Sequence, residues 1–458
     1  MNYPVSRKGK KIVAFVSLAA LLAGCIEPGG ESGAGLSHPQ LVDSLRSVDA
    51  ETNILVVSFD ALRADALGVY GYEGGTSPEI DRWSEEAFVF EQFYSAAQAT
   101  PTSFAAAFTG QYPFRVFRAW SLSDTQTLAE VMKNAGRRTF AVLNNVQLVA
   151  ERNFQQGFDN YQVLSTPNEQ DVVEAASVAL ETNADTPFFG WIHFITPHTP
   201  YSYREASAKF YTPGYSGQYE KDSGANPTPG SEANARRLRE LYDGEVFFAD
   251  SLFGQILAML DRLQLSEETL VILTSDHGDQ FGEKGGYGHK SVYEGVVRVP
   301  FLVRPAEGLE QQVRIRRVHI NTDLLPTLAV ATGAEFVPAL DGIDMASNVD
   351  DDRLIVITAM TDNDHRGMAA RQHDDKLVVS CPPPEFREEL YNIGNDPLEQ
   401  TDRILDDPAR AGELFDMLVD EVRGDPCNVI QDALRGAKIT DNLDDEAIQK
   451  LKSLGYIQ

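Results

Sequence analysis

The sequence predicts an α/β fold built on a mostly parallel sheet sandwiched by helices. Three observations carry this. Short apolar, β-branched runs of strand length recur along the chain. Helical patterns separate them as far as about residue 335. Two of the runs stop at ligand-type side chains, and open α/β sheets place their ligands at the carboxyl ends of strands.

Residues 53–59 (NILVVSF) form the first such run and end at Asp60. Residues 139–143, 188–193, 270–274 and 300–304 read as further strands. Residues 211–232 are rich in Gly, Pro, Ser, Tyr and Asn; this insertion is read as a substrate-facing loop or a surface excursion. Residues 354–358 and 376–380 read as strands of a smaller C-terminal region, and there is no internal repeat.

The richest stretch is residues 274–290, TSDHGDQFGEKGGYGHK. It follows the buried run 270–273 (LVIL), so Asp276 and His277 stand at a strand end. A carboxylate beside an imidazole suits Zn²⁺, Mn²⁺, Mg²⁺ or Ca²⁺. The glycines fold the loop tightly and bring His289 and Lys290 back toward the first pair. A metal beside an anion is the functional reading; a charged surface turn is the plain alternative. Asp60 supplies a carboxylate at a second strand end, with helix capping as its structural alternative.

These segments resemble the sulfatase family of the alkaline-phosphatase-like superfamily. The similarity runs from residues 53–70 (NILVVSFDALRADALGVY) through 109–113 (TGQYP), 192–201 (IHFITPHTPY), 242–250 (YDGEVFFAD) and 274–300. Residues 321–333 (NTDLLPTLAVATG), 389–401 (ELYNIGNDPLEQT) and 451–457 (LKSLGYI) resemble later landmarks. The resemblance implies a C-terminal antiparallel sheet with a closing helix. It implies that Asp60, Asp276, His277 and the Thr100 oxygen hold one divalent ion, with Zn²⁺ or Mn²⁺ favoured over Ca²⁺. It implies that His198 contacts the ester or leaving-group oxygen, and that His289 and Lys290 bind the anion or protonate the leaving group.

The departures are as informative. The family carries Cys or Ser in C/S-x-P-x-R, matured to formylglycine. Here the segment is Thr100-Pro101-Thr102-Ser103-Phe104, with Thr100 at the nucleophile position and Phe104 at the Arg position. A one-residue slip would place Ala99 there instead and leave no nucleophile. Residues 103–110 (SFAAAFTG) support the Thr100 register, because they read as the small-residue start of a helix whose N-terminus would bind an oxyanion. Ala61 stands where the family commonly has a second metal-binding Asp. No Asp-x-x-x-His set for a second zinc is found. His193 is read as structural, Asp250 as supporting the ligands from behind or capping a helix rather than ligating, and His38, His319, His365 and His373 are assigned no function.

The N-terminus sets the compartment. Arg7, Lys8, Lys10 and Lys11 precede an apolar stretch, 12–23, too short to span a bilayer comfortably. Leu22-Ala23-Gly24-Cys25 looks like a bacterial lipobox, with Cys25 acylated as the mature first residue; a plain signal peptide or an uncleaved anchor is the alternative. Cys381 and Cys427 then remain and could pair in an oxidising envelope. The organisation is read as signal peptide 1–25, flexible tether 26–50, catalytic α/β domain 51–345 and C-terminal subdomain 346–458.

The net charge is −29, which argues against nucleic acid as a partner. An anionic ester would rely on local cations: the metal, Lys290 and Arg63. Two function classes follow. One is a metal-dependent hydrolase or transferase of sulfate, phosphate or phosphonate esters, lipid-anchored in the bacterial envelope. The other is a catalytically silent sulfatase-like binding protein.

Overall fold

In this computed structural model the described residues are 38–454, apart from 338, 349–351, 361–365, 382–386 and 436–437. The central sheet has eight strands: β1 (Asn53–Asp60), β2 (Phe88–Tyr94), β3 (Arg138–Leu143), β4 (Asn160–Val163), β5 (Phe188–Pro197), β6 (Thr269–Ser275), β7 (Phe301–Arg304) and β8 (Val313–Ile320). Their spatial order is β8-β2-β7-β6-β1-β5-β3-β4. β7 pairs antiparallel with both its neighbours, and every other pairing is parallel. The run at 300–304 is thus the one strand that reverses direction.

β1 is buried at every position. Its alternation divides the core: Ile54 and Val56 face one apolar layer, and Leu55, Val57 and Phe59 face the other. The first layer holds helices α3 (Thr100–Thr109) and α6 (Leu324–Ala331); the second holds α4 (Glu169–Asn183) and the 31-residue α5 (Glu232–Arg262). Covering both faces is what a parallel sheet requires.

A four-stranded antiparallel sheet follows: β9 (Ile355–Ala359), β10 (Gly367–Gln372), β11 (Asp375–Ser380) and β12 (Arg387–Asn392), in sequence order. Helices α7 (Pro408–Val422), α8 (Pro426–Ala433) and α9 (Asp445–Ser453) close the chain. Leu377, Val379 and Leu390 belong to the same apolar cluster as Val56 and Phe104, so the smaller sheet shares the core of the larger. Cys381 and Cys427 form a disulfide, with their Cα atoms 5.6 Å apart. It ties the chain after β11 to the first turn of α8.

The tether reading of 26–50 extends too far. Residues Pro39–Arg46 form helix α1, with Leu41 and Leu45 buried. Proline at the first helical position and apolar residues four apart explain the helix. The signal peptide, the lipobox and Cys25 lie outside the described residues. No helix among the described residues is long and apolar enough to cross a membrane.

Candidate active site

The site lies at the carboxyl ends of β1, β2, β3, β5 and β6. β1 ends in Asp60, and β6 delivers Asp276 and His277. β5 ends at Pro197, one residue before His198, and cis peptides precede Pro197 and Pro200. The chain beyond β2 enters α3 at Thr100, with Pro101 in its first turn and Ala99 as cap.

Thr100 Oγ donates to Asp60 Oδ2 at 3.2 Å. Asn145 Nδ2 donates to the same oxygen at 2.7 Å and lies 3.4 Å from Thr100 Oγ. Ser103, one turn on, faces elsewhere: its hydroxyl donates to the Asp276 carbonyl at 2.8 Å. Thr102 Oγ donates back to the Ala99 carbonyl at 2.9 Å. Of the three hydroxyls in the turn, Thr100 is the one at the Asp60 carboxylate.

Asp60 Oδ1 and Asp276 Oδ2 are buried with no hydrogen-bond partner among the described residues. Each lies 3.5 Å from His277 Nε2. Asp60, Asp276 and His277 offer ligand atoms within 4.8 Å of one another. Two acceptor-only oxygens meeting one imidazole nitrogen in a dry interior fit a divalent cation. His277 Nδ1 lies 3.0 Å from the Gly278 carbonyl, the contact that orients ligating histidines.

Charge is balanced tightly here. Burial pushes the Asp60 carboxyl up, but the imidazoles of His198, His193 and His277 outweigh it and hold it at about 2. Burial and the neighbouring Asp60 charge raise Asp276. Burial opposes protonation of His277, yet Asp276 and Asp60 leave it raised overall. Burial, then His277, hold His289 well below the usual imidazole range.

His289 Nδ1 sits 3.1 Å from the His277 ring nitrogens, and the His198 and His289 rings are 5.0 Å apart. Lys290 is exposed and lines, with His289 and Ala99, a cavity of about 190 Å³. Ala225, Asn226, Pro227 and Thr228 of the 211–232 insertion form part of its wall. The structure therefore brings Asp60, Thr100, Asp276, His277, His198 and His289 together, with Lys290 at the cavity.

Arg63 is not available to a substrate anion. Its guanidinium is bound by both Asp65 oxygens, by Glu283 and by the Asp279 carbonyl. His193 is buried as a structural histidine would be, with Ser58 Oγ at 3.0 Å, but its Nε2 also lies 3.7 Å from Asp60. Phe104 packs against Trp191, His193 and Phe108, so the Arg position is part of the apolar core. Ala61 adopts φ 62°, and Tyr242 of α5 holds its carbonyl at 2.9 Å. Asp250 caps helix α2 (Pro78–Trp83), accepting from the Glu79 and Ile80 amides.

Sequence reasoning missed Asn145 and Asp279. Asn145 follows β3, so the strand-end rule could have found it. Asp279 is buried, accepts from the Tyr201 hydroxyl through Oδ2, and forms with His277 and His289 a second set of ligand-type atoms within 4.8 Å. It lay unread inside the Asp276-His277 motif.

The fold is a mostly parallel, helix-covered α/β sheet followed by a smaller antiparallel sheet. Residues 52–334 match the sulfatase family model, so the chain belongs to the sulfatase family. It is similar to an ulvan-active sulfatase of Formosa agariphila, 26% identical over 355 residues that cover 68% of each chain. Among solved structures it resembles a protein in complex with its substrate D-glucosamine-2-N,6-O-disulfate. That likeness has TM-score 0.71 and 18% identity, covering 82% of this chain and 99% of the other. It also resembles the phosphonate monoester hydrolase of Agrobacterium radiobacter, with TM-score 0.65 and 18% identity, covering 81% and 95%.

Proposed function

We propose that the chain is a metal-dependent hydrolase of sulfate or phosphate esters in which Thr100 is the nucleophile. The observation that carries this reading is the Thr100 hydroxyl at the start of α3, 3.2 Å from the Asp60 carboxylate and beside the orphaned oxygens of Asp60 and Asp276. Asp60, Asp276, His277 and Thr100 would hold the divalent ion, with Zn²⁺ or Mn²⁺ preferred because His277 supplies nitrogen. Such an ion supplies Lewis acidity, lowering the pKa of a neighbouring oxygen and offsetting charge on the transferred group.

The residues then divide the work. Thr100 gives up its hydroxyl proton to solvent, and its Oγ forms a bond to sulfur or phosphorus as the ester oxygen leaves. Asn145 fixes the Asp60 carboxylate against Thr100. The Thr102 amide, in the first turn of α3 ahead of the helix's own ladder, would face a non-bridging oxygen. His198 and Lys290 hold the anion, and His198 gives a proton to the departing alcohol, while His289, held uncharged by burial and His277, can only hydrogen-bond to it. Water, or a second alcohol in a transferase, then breaks the bond to Thr100. Phosphorus chemistry suits a threonine better than sulfate does, because Thr lacks the geminal hydroxyl through which formylglycine expels sulfate.

The test is a metal-replete panel of aryl sulfate, phosphomonoester, phosphodiester and phosphonate substrates, with Thr100→Ala beside wild type. The second reading, a silent binding protein of the envelope, is favoured by Phe104 filling the Arg position and by the neutralised Arg63. Metal-loaded wild type that turns over no ester selects it. The lipobox adds a location: the bacterial envelope, through a lipid on Cys25.

A further inference from the structure

The cavity beside Thr100 has an unusual wall. The chain carries 68 Asp and Glu residues, yet none of those among the described residues lines this void. Its wall includes Lys290, Trp120, Gln147 and Ile439. Trp120 Nε1 and Gln147 Nε2 are buried with no hydrogen-bond partner among the described residues, and the two residues are 3% and 1% exposed.

Arg152 is not itself in the lining but is bonded to a residue of it. It is 0% exposed, and its Nε and Nη1 are likewise without a partner among the described residues. Its Nη2 donates to the carbonyl of Ile439, a residue of the cavity wall. No carboxylate pairs with it among the described ion pairs; the Asp441 charge acts on it but offsets only part of the burial. Gln147 and Arg152 sit on consecutive short turns, Val146–Leu148 and Ala150–Arg152. Trp120 is held by the two-residue turn of the hairpin Phe117–Arg118 and Ser121–Leu122, where Ala119 and Trp120 take φ 49° and 60°. Such left-handed backbone is disfavoured for both residue types, so the turn holds the indole where it stands against a local preference.

Unpaired buried donors are rare, and an unpaired buried guanidinium is rarer still. Here an indole N–H and two guanidinium nitrogens, which can only donate, and the amide nitrogen of Gln147 all lack an acceptor among the described residues. Burial lowers the Arg152 guanidinium only to about 10, which leaves it charged at neutral pH. The group that satisfies such a set is an oxyanion.

We propose that Trp120, Gln147 and Arg152 form a second anionic subsite, and that the substrate is an ester whose alcohol part carries a further oxyanionic group, a carboxylate or a second sulfate. This rests on the ester-hydrolase reading, because the cavity shares His289 and Lys290 with that site. Trp120 and Gln147 offer neutral N–H donors, and Arg152 supplies the charge. The buried charge is strong at short range in a dry wall. The ester end of the same molecule faces Thr100.

The experiment uses full-length, metal-replete protein and three esters of one acid: 4-carboxyphenyl, 4-sulfophenyl and the neutral 4-carbamoylphenyl. Wild type is expected to favour the two anionic esters over the neutral one by at least about tenfold in kcat/KM, carried mainly by KM. The preference is expected to collapse in Arg152→Met. Benzoate is titrated in parallel by thermal unfolding; it should raise the midpoint of wild type and not that of Arg152→Met, whereas inorganic sulfate, which the ester site also takes, should raise both. Ligand-free Arg152→Met is expected to be as stable as wild type or more so, since it loses an unpaired buried charge. Equal kcat/KM for charged and neutral esters, or equal benzoate shifts in both proteins, overturns the subsite. If no ester is turned over, the hydrolase reading fails, and the benzoate shift still decides the subsite.

Discussion

Thr100 and Ser103 lie one turn apart on α3 and meet different partners: the Asp60 carboxylate and the Asp276 carbonyl. Thr100→Ala is therefore expected to cut turnover by at least about 10³-fold, the scale at which nucleophile losses are read, with an unchanged thermal midpoint. Ser103→Ala loses bonds to Asp276, Ser95 and Asn321 and is expected to lower stability more than chemistry. Full activity in Thr100→Ala with loss in Ser103→Ala would place the nucleophile one turn later. Asp60→Ala and Asp276→Ala are each expected to lose most bound metal by elemental analysis, because the remaining atoms cannot complete a shell. Wild-type stoichiometry in both would move the ion elsewhere. The strand-end rule made Asp60, Asp276 and His277 legible in the sequence, and family resemblance supplied Thr100. Arg63 misled because its partners, Asp65 apart, are far away in sequence: Glu283 and Asp279 reach it only through the fold. Trp120 and Arg152 carried no periodicity or motif, and their isolation is visible only once the cavity is.

Among elements, the buried contact between α5 and α2 carries a pH dependence. Asp250 accepts two amides at the start of α2, but burial dominates and raises its carboxyl to about 7 from 3.8. A carboxyl raised in the folded state gives stability that is full below about 4 and is lost as pH rises through about 7. A shift of this size corresponds to roughly a few kcal/mol. Asp250→Asn keeps a capping side chain without the titration, so its stability should fall less than that of wild type between pH 4 and 8. Thermal unfolding across that range checks this, and parallel curves for the two proteins would assign the dependence to another group, with Glu169, also raised to about 7 by burial, the next to examine. Element positions were legible where period-2 or buried runs were strong, as in β1 and β6. Helix α1 was missed because Gly, Ser and Pro just before it set the local composition, while its signal is only two leucines four residues apart. The reversed direction of β7 was hidden for a different reason: a short buried strand reads the same in either direction.

At the scale of the whole molecule, the disulfide and the N-terminal pattern bear on one question, the compartment. Cys381 and Cys427 close a loop of 46 residues, which a chain-entropy treatment values at about 4 kcal/mol. Such bonds persist in oxidising surroundings and are uncommon in reducing cytosol. A net charge of −29 keeps the surface solvated and repels anionic headgroups, so the folded body offers no electrostatic hold on a bilayer. The residues before α1 are then where an anchor is expected. The basic, apolar, Leu-Ala-Gly-Cys order there points to cleavage before Cys25 and acylation of its thiol and new amine. One acyl chain binds a bilayer marginally and several hold firmly, so the mature protein is expected in the membrane fraction and resistant to high-salt washing. Salt resistance separates lipid anchoring from charge, which high salt would screen. Cys25→Ser should leave the precursor uncleaved and unacylated. Intact-mass and N-terminal peptide analysis of the membrane fraction decides the matter, and an unmodified N-terminus upstream of Cys25 in the wild type would sink the anchor.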